Sequence, residues 1–322
     1  MEQGGTWMGK RIAFLAQHHT IPARYMTTST TTTKTLGTIL TIGADYLEKK
    51  GVENARVVCE LLAARLFNRP RLELGLQFEQ VLSEKQLGAM RRGVSRVAAG
   101  EPVQYVTGQT GFMGHTFKVD SRALIPRPET EGLVELILKD EELWKSHPTV
   151  VDIGTGSGCI VISLALARPD AVYTGVDVSN DAVALAKENA AQLGVTDKIN
   201  LTSAELADFI EPETISIIVA NLPYIPTAEY EQLPVHIKNH EPRGALDGGP
   251  SGLNIIESIV DDATILLAPA GKLFLEIGED QGESTRSMLS DAGFTNITVA
   301  KDLPGKDRYV IGSMPSAETP EK

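Results

Sequence analysis

The sequence predicts an α/β fold: a doubly wound sheet with helices on both faces, preceded by a small helical domain and a β-hairpin linker. Three observations carry this. From about residue 121, apolar strand-like runs alternate with helix-like segments, the pattern of a sheet wound with helices. A glycine-rich turn, Gly154-Thr155-Gly156-Ser157-Gly158, stands where the first of those runs would meet its helix. Ahead of residue 100, apolar residues recur at helical spacing instead.

The elements follow in order. Leu36, Ile39, Leu40, Ala44 and Leu47 form one helical face, and Val57, Val58, Leu61, Leu62, Ala64, Arg65 and Leu66 a second. Ser83, with Gln86 three positions on, predicts a capped start for a helix running to about Gly100. Glycines and aromatics over 103–120 predict a hairpin. Strands are then expected over 149–153, 171–178, 199–202, 215–220 and 272–277. Helices are expected over 157–167, 181–193, 251–267 and 279–292, with an antiparallel pair over 295–300 and 308–312 closing the sheet. The domain reading is an extension over 1–35, a helical substrate-recognition domain over 36–102, a hairpin linker over 103–120, a catalytic domain over 121–313 and a flexible tail over 314–322.

Composition narrows the function. The chain has 322 residues, of which 42% are hydrophobic, enough for one large and one small core. No apolar run reaches membrane-spanning length. A net charge of −12 disfavours broad attachment to nucleic acid, so no stable nucleic-acid or membrane partner is expected. Cys59 and Cys159 are the only cysteines, which fits a reducing cytoplasm and argues against a disulfide scaffold or zinc site. The first 40 residues differ: Lys10, Arg11, Arg24 and Lys34 stand against Glu2 alone, and residues 27–33 are a Thr/Ser tract. This predicts a disordered extension, or translation from upstream of a true start at Met26; a transit peptide fits only loosely.

Two turns carry the chemistry. Glycines at a strand-to-helix turn let backbone approach a ligand closely. Cys159 stands where a dinucleotide fingerprint needs its last glycine, so Gly154, Thr155, Gly156, Ser157 and Gly158 fit a ligand without a pyrophosphate better. Asp177 ends the next strand, where a carboxylate can accept both hydroxyls of a ribose. Glu205, after the third strand, could meet an adenine amino group. Downstream, Asn221-Leu222-Pro223-Tyr224 leaves an apolar strand. An amide nitrogen is a poor nucleophile, so methylating it needs orientation more than a strong base. The Asn221 side-chain oxygen and Leu222 carbonyl can accept the two N–H hydrogens, and Tyr224 can stack on the planar group. Together the turns predict an S-adenosyl-L-methionine-dependent N-methyltransferase needing no metal. Searches for a nucleophile elbow, a P-loop and a His-Glu-x-x-His zinc motif find none.

The whole set of residues resembles the HemK/PrmC family, the peptide chain release factor N5-glutamine methyltransferases, over roughly residues 36–313. The likeness rests on Gly100-Glu101-Pro102-Val103-Gln104-Tyr105-Val106-Thr107-Gly108, on Leu124-Ile125-Pro126-Arg127-Pro128-Glu129-Thr130-Glu131, on Glu241-Pro242-Arg243-Gly244-Ala245-Leu246-Asp247-Gly248-Gly249 and on Leu275-Glu276-Ile277-Gly278. It implies a Rossmann-like class I methyltransferase domain, S-adenosyl-L-methionine as cosubstrate, and methylation of the glutamine in a Gly-Gly-Gln tripeptide of class I release factors. It implies donor contacts from Gly154 to Gly158 and Asp177, adenine packing by Leu206, and an acceptor site from Asn221 to Tyr224. Arg127, Pro128 and Glu129 are implied as substrate contacts. The family's usual Asn-Pro-Pro-Tyr reads Asn-Leu-Pro-Tyr here; the carbonyl acceptor survives the change, while the turn loses a rigid ring. A monomer is expected.

Two other readings stay open on the residues alone. Adenine N6-methylation of RNA or DNA makes the same geometric demands, against which stand the acidic balance and the helical domain in front. A non-catalytic adaptor that binds an adenosine ligand is the other.

Overall fold

A computed structural model describes residues 34–204 and 211–316. The expectations for the extension before Lys34, Met26 included, lie outside the described residues. The described chain divides after Thr107 into two compact units.

The first unit is helical. Helix α1, Leu36–Glu48, is capped by the Thr35 hydroxyl, which accepts from Thr38 N–H. Helix α2, Ala55–Phe67, ends at Asn68 in the left-handed region, where the residue's N–H reaches back to the last carbonyls. Helix α3, Glu84–Ala98, opens with the expected capping box: Ser83 and Gln86 satisfy each other's backbone N–H. The α2 face differs from the sequence expectation. Val57 is exposed, whereas Ala55, Val58, Cys59, Leu62 and Ala63 are buried. The reason is close approach between helices. A Cβ on Gly43 of α1 would lie 2.9 Å from the Cys59 sulfur, and one on Gly93 of α3 would lie 2.8 Å from Leu62. Glycines on α1 and α3 therefore make room for Cys59 and Leu62 of α2, and Val57 turns outward. Burial pushes the Cys59 thiol up to about 12, which makes it an inert core group.

Residues 103–107 are helical rather than part of the hairpin. Helix α4, Val103–Thr107, starts after Pro102, whose carbonyl accepts from Tyr105 and Val106, and it stops before Gly108 at φ 71°.

The second unit opens with the hairpin itself, β1 Gln109–Phe112 and β2 His115–Lys118. Met113 and Gly114 both have positive φ, as a two-residue turn matching the strand twist requires. Phe112 and Phe117 meet edge to face and are buried in the core of this unit. Helix α5, Pro128–Lys139, was not expected from the sequence. Pro128 sits where a helix tolerates proline, and Glu129 and Glu131 lie in its first turn, where carboxylates suit the helix dipole.

A seven-stranded sheet follows: β3 Thr149–Ile153, β4 Val172–Asp177, β5 Ile199–Ser203, β6 Ile215–Asn221, β7 Leu267–Glu276, β8 Thr295–Lys301 and β9 Asp307–Ser313. The order is β5-β4-β3-β6-β7-β9-β8, parallel as far as β7 and antiparallel beyond. The helices between are α6 Cys159–Ala167, α7 Asn180–Gln192, α8 Thr227–Tyr230, α9 Val235–His240, α10 Asn254–Leu266 and α11 Gly282–Asp291. Strand periodicity sorts the core into two faces. Val150, Ile217, Val219 and Phe274 join α5, α6 and α7 on one face; Val151, Ile153, Ile218, Leu273 and Leu275 join α10 and α11 on the other. The doubly wound α/β class is thus as expected, and strand ends differ by a few residues, most at β7, which begins at Leu267. After β5 the chain returns to the far side of β3, so the strand order reverses between β3 and β6. That crevice is where ligands of such sheets bind.

Candidate active site

A cavity of about 560 Å³ lies at the carboxyl ends of β3, β4 and β6, a size typical of small-molecule sites. Its wall on one side is the turn after β3. Gly154, Gly156 and Gly158 have φ of 68°, 55° and 80°, a region that L side chains seldom enter. Asp152 organises this turn from below. It is fully buried, and its Oδ2 accepts from the Thr155 hydroxyl (2.7 Å) and the Val161 N–H (3.3 Å). Burial pushes its carboxyl up to about 7. Thr155 N–H donates to the Val176 carbonyl, tying the turn to β4.

Gly154, Thr155, Gly156, Ser157 and Asp177 all line the cavity. Asp177 takes one N–H on each oxygen, Gly156 on Oδ2 (2.9 Å) and Ser179 on Oδ1 (2.8 Å). A carboxylate offers about four acceptor positions, so capacity remains for a pair of hydroxyls. Ser179 caps α7 through its own hydroxyl, which frees Asp177 from that role. Gly158 is not part of the wall. A Cβ there would lie 2.8 Å from Ile162 and 3.2 Å from Ala186, so this glycine lets α6 and α7 approach. Glu205 and Leu206 lie outside the described residues.

Asn221, Leu222 and Pro223 form another part of the same wall. Asn221 ends β6, opposite Glu276 on β7. Its Nδ2 donates to the Thr130 hydroxyl at 3.0 Å. Tyr224 is placed differently from the expectation: it is not in the cavity wall but packs against the core cluster on the α10 face, and burial raises its phenol to about 12. Arg127 lines the cavity; Pro128 and Glu129 are exposed and do not. Arg127 instead holds Glu241, donating from one terminal nitrogen to both carboxylate oxygens at 2.7 and 2.8 Å.

Known proteins resemble this chain over most of its length. The PrmC N-terminal domain profile matches residues 38–108, and a methyltransferase domain profile matches residues 145–242. A release factor glutamine methyltransferase of Geobacter sulfurreducens is 40% identical over 267 residues, covering 83% of this chain and 92% of that protein. Proteins of the same name from Rhodopirellula baltica (37%, covering 88% of this chain and 97% of that one) and Moorella thermoacetica (39%, 81% and 92%) are similarly close. The chain belongs to the release factor glutamine methyltransferase family. Its fold is that of a class I methyltransferase.

Four further residues of this methyltransferase bear on the site and escaped functional reading of the sequence. Thr130, in the first turn of α5, is buried and meets Asn221. Glu276 is buried beside both; its carboxyl is pushed up to about 7 by burial, and its Oε2 has no partner among the described residues. Glu241 anchors Arg127 and also meets the Ile125 N–H. Gln281 donates to the Tyr224 carbonyl at 2.8 Å and accepts from Gly278 N–H at 2.9 Å, fixing the exit of the Asn221–Tyr224 turn. Thr130, Glu241 and Glu276 stand inside the motif blocks quoted above; nothing local in the sequence marks them as neighbours of Asn221 or Arg127.

Proposed function

We propose that this methyltransferase transfers the methyl group of S-adenosyl-L-methionine to the side-chain amide nitrogen (N5) of the glutamine in the Gly-Gly-Gln motif of class I peptide chain release factors. One observation carries the reading: Asn221 and Leu222 stand in the wall of the same cavity as the Gly154–Ser157 backbone and Asp177. The relatives' shared name, release factor glutamine methyltransferase, supports the substrate class.

The site suits such a donor. Close backbone at the glycine turn, a strand-end carboxylate for ribose hydroxyls and apolar walls from Ile153, Val176 and Leu222 match an adenosine carrying a short amino-acid chain. When bound, the donor supplies an electrophilic methyl group on a sulfonium. Asn221 Oδ1 and the Leu222 carbonyl accept the two N–H hydrogens of the glutamine amide and aim its nitrogen at that carbon. The N–C bond forms as the C–S bond breaks, the sulfonium becomes a thioether, and the methylated amide gives its extra proton to water. Pro223 shapes the turn that presents the Leu222 carbonyl.

The test is incubation of a release factor with enzyme and donor, followed by peptide mapping by mass spectrometry. One added methyl on the Gly-Gly-Gln glutamine is expected; an unmodified glutamine rejects the proposal. Asn221→Ala should abolish transfer while leaving donor affinity within about twofold, because its role is to orient the acceptor. Normal turnover by that variant removes Asn221 from the mechanism.

A further inference from the structure

Asn221 can serve as an acceptor only if its amide is turned the right way. The two ends of a carboxamide are nearly the same shape, so packing alone does not choose between oxygen and nitrogen toward the cavity. The choice is made by what lies behind it. Glu276 is the register partner of Asn221 on the neighbouring strand. Strand periodicity puts both on the sheet face that carries Phe274, Val219 and α5. Glu276 is 1% exposed and Thr130 likewise 1%. The polar side chains of Thr130 and Asn221 lie beside the Glu276 carboxyl and favour its ionised form, and Asn221 Nδ2 donates to Thr130 Oγ1 at 3.0 Å.

This network has a direction. A carboxylate can only accept. Thr130 Oγ1 accepts from Asn221, which leaves the hydroxyl proton free to turn to the neighbouring Glu276 carboxylate. Both protons of Asn221 Nδ2 are then drawn inward, and Oδ1 is left for the cavity. We propose that Glu276 is a positioning residue of the transfer reaction: its carboxylate, with Thr130 as a bridge, sets the rotational sense of the Asn221 amide and thereby makes it an acceptor for the substrate's N–H. The proposal rests on the acceptor role given to Asn221 above. Glu276 does not line the cavity and touches no reacting atom.

Protonation of Glu276 would remove the direction, since a carboxylic acid can donate to the Asn221 oxygen. Arg308 on β9 favours the charged form, whereas Glu129 on α5 opposes it. Tyr224, Tyr309 and Cys159, the other titratable groups that feel this charge, are each pushed to about 12 and stay neutral. Asp152 is also raised to about 7 on the same sheet face, so a pH profile needs a variant to assign it.

The experiment measures kcat and KM for a release factor across neutral pH, with donor affinity measured separately. Glu276→Gln keeps the shape but can present either end. It is expected to lower kcat about tenfold, as loss of one charge-assisted hydrogen bond would. KM and donor affinity should hold, and the acid limb of the kcat profile near pH 7 should flatten. Thr130→Val should lower kcat similarly, and Thr130→Ser should restore it. Wild-type kcat and an unchanged acid limb in Glu276→Gln overturn the proposal, as does a loss confined to KM or donor affinity. If Glu276→Gln fails to fold, the Thr130→Val and Thr130→Ser pair decides: equal kcat in the two overturns it. Asn221→Ala run alongside separates the two levels. An active Asn221→Ala removes the acceptor reading itself, whereas an inactive Asn221→Ala with a fully active Glu276→Gln removes only the role of Glu276.

Discussion

The division of labour between Gly156 and Gly158 can be tested by adding one methyl group to each. Both have positive φ, so alanine at either costs about 1–2 kcal/mol of backbone strain. Their surroundings differ. A Cβ on Gly158 would lie 2.8 Å from Ile162 Cδ1, which must move aside, and 3.2 Å from Ala186 Cβ, tighter than most real Cβ contacts. Forcing α6 and α7 apart adds about 1–3 kcal/mol, so Gly158→Ala should destabilise the second unit by about 2–5 kcal/mol. In a unit of this size each kcal/mol lowers Tm by about 2–4 °C. A Cβ on Gly156 meets nothing nearer than 3.8 Å within the protein, yet Gly156 lines the cavity. Gly156→Ala should therefore lose only the strain energy in stability, while an intruding methyl weakens donor binding by about 10–100-fold. Thermal unfolding by circular dichroism reads the first quantity and titration calorimetry with S-adenosyl-L-methionine the second. Gly156→Ala binding donor as tightly as the parent, with Gly158→Ala fully stable, refutes the assignment of the turn.

Two more predictions follow from buried charge. Asp152 has its carboxyl raised to about 7 by burial, so its contribution to stability is fully present below its unfolded pKa and is lost as pH rises through about 7. Asp152→Asn should accordingly gain on the parent between acid and mildly alkaline pH, by about 4 kcal/mol, read as the change in the difference of urea midpoints; a pH-independent difference contradicts the raised carboxyl. Arg127→Ala leaves Glu241, with a side chain 3% exposed, without an ion-pair partner among the described residues. Because Arg127 itself is one-third exposed, the loss is about 1–3 kcal/mol rather than the full value for a buried pair. Glu241→Gln should cost less, since it removes the buried charge instead of stranding it; the opposite ranking in urea denaturation refutes the role of the pair.

What could be read in the sequence was local. Strand β3 is expected and found over the same residues, because Thr149, Val150, Val151 and Ile153 are β-branched, broken only by Asp152, and the run ends at a glycine turn. The α3 cap is legible for the same reason: Ser83 and Gln86 are three residues apart and act on each other. Helix α5 is not legible in the sequence because Pro126-Arg127-Pro128 has the pattern of a loop, whereas in the fold the second proline occupies the first helical position. The α2 face is not fully legible because helical spacing alone does not show which residues meet the glycines of the neighbouring helices: Gly43 makes room for Cys59 and Gly93 for Leu62, while Val57 faces outward. Tyr224 adjoins Asn221 in sequence, but a residue three beyond a strand end has left the strand's periodicity, and its partly buried ring packs against the core on the α10 face.

The non-local part of the site has a simple physical logic. The turn Asn221-Leu222-Pro223-Tyr224 lacks the first ring of the family's usual Asn-Pro-Pro-Tyr, so its rigidity must come from neighbours. Thr130 holds the Asn221 amide, and Gln281 holds the Tyr224 carbonyl. The next residue, Ile225, exchanges backbone hydrogen bonds with Leu246 and Gly248. A Cβ on Gly248 would lie 2.6 Å from the Pro223 carbonyl, so only glycine lets that strand-like segment come so near. Asp247 in the same segment accepts from Thr227, closing the loop beyond. Each contact lies in or beside a distant block, at residues 124–131, 241–249 or 275–278, that carries the family likeness. Those blocks look unrelated along the chain because what they share is one short turn that they hold from different sides.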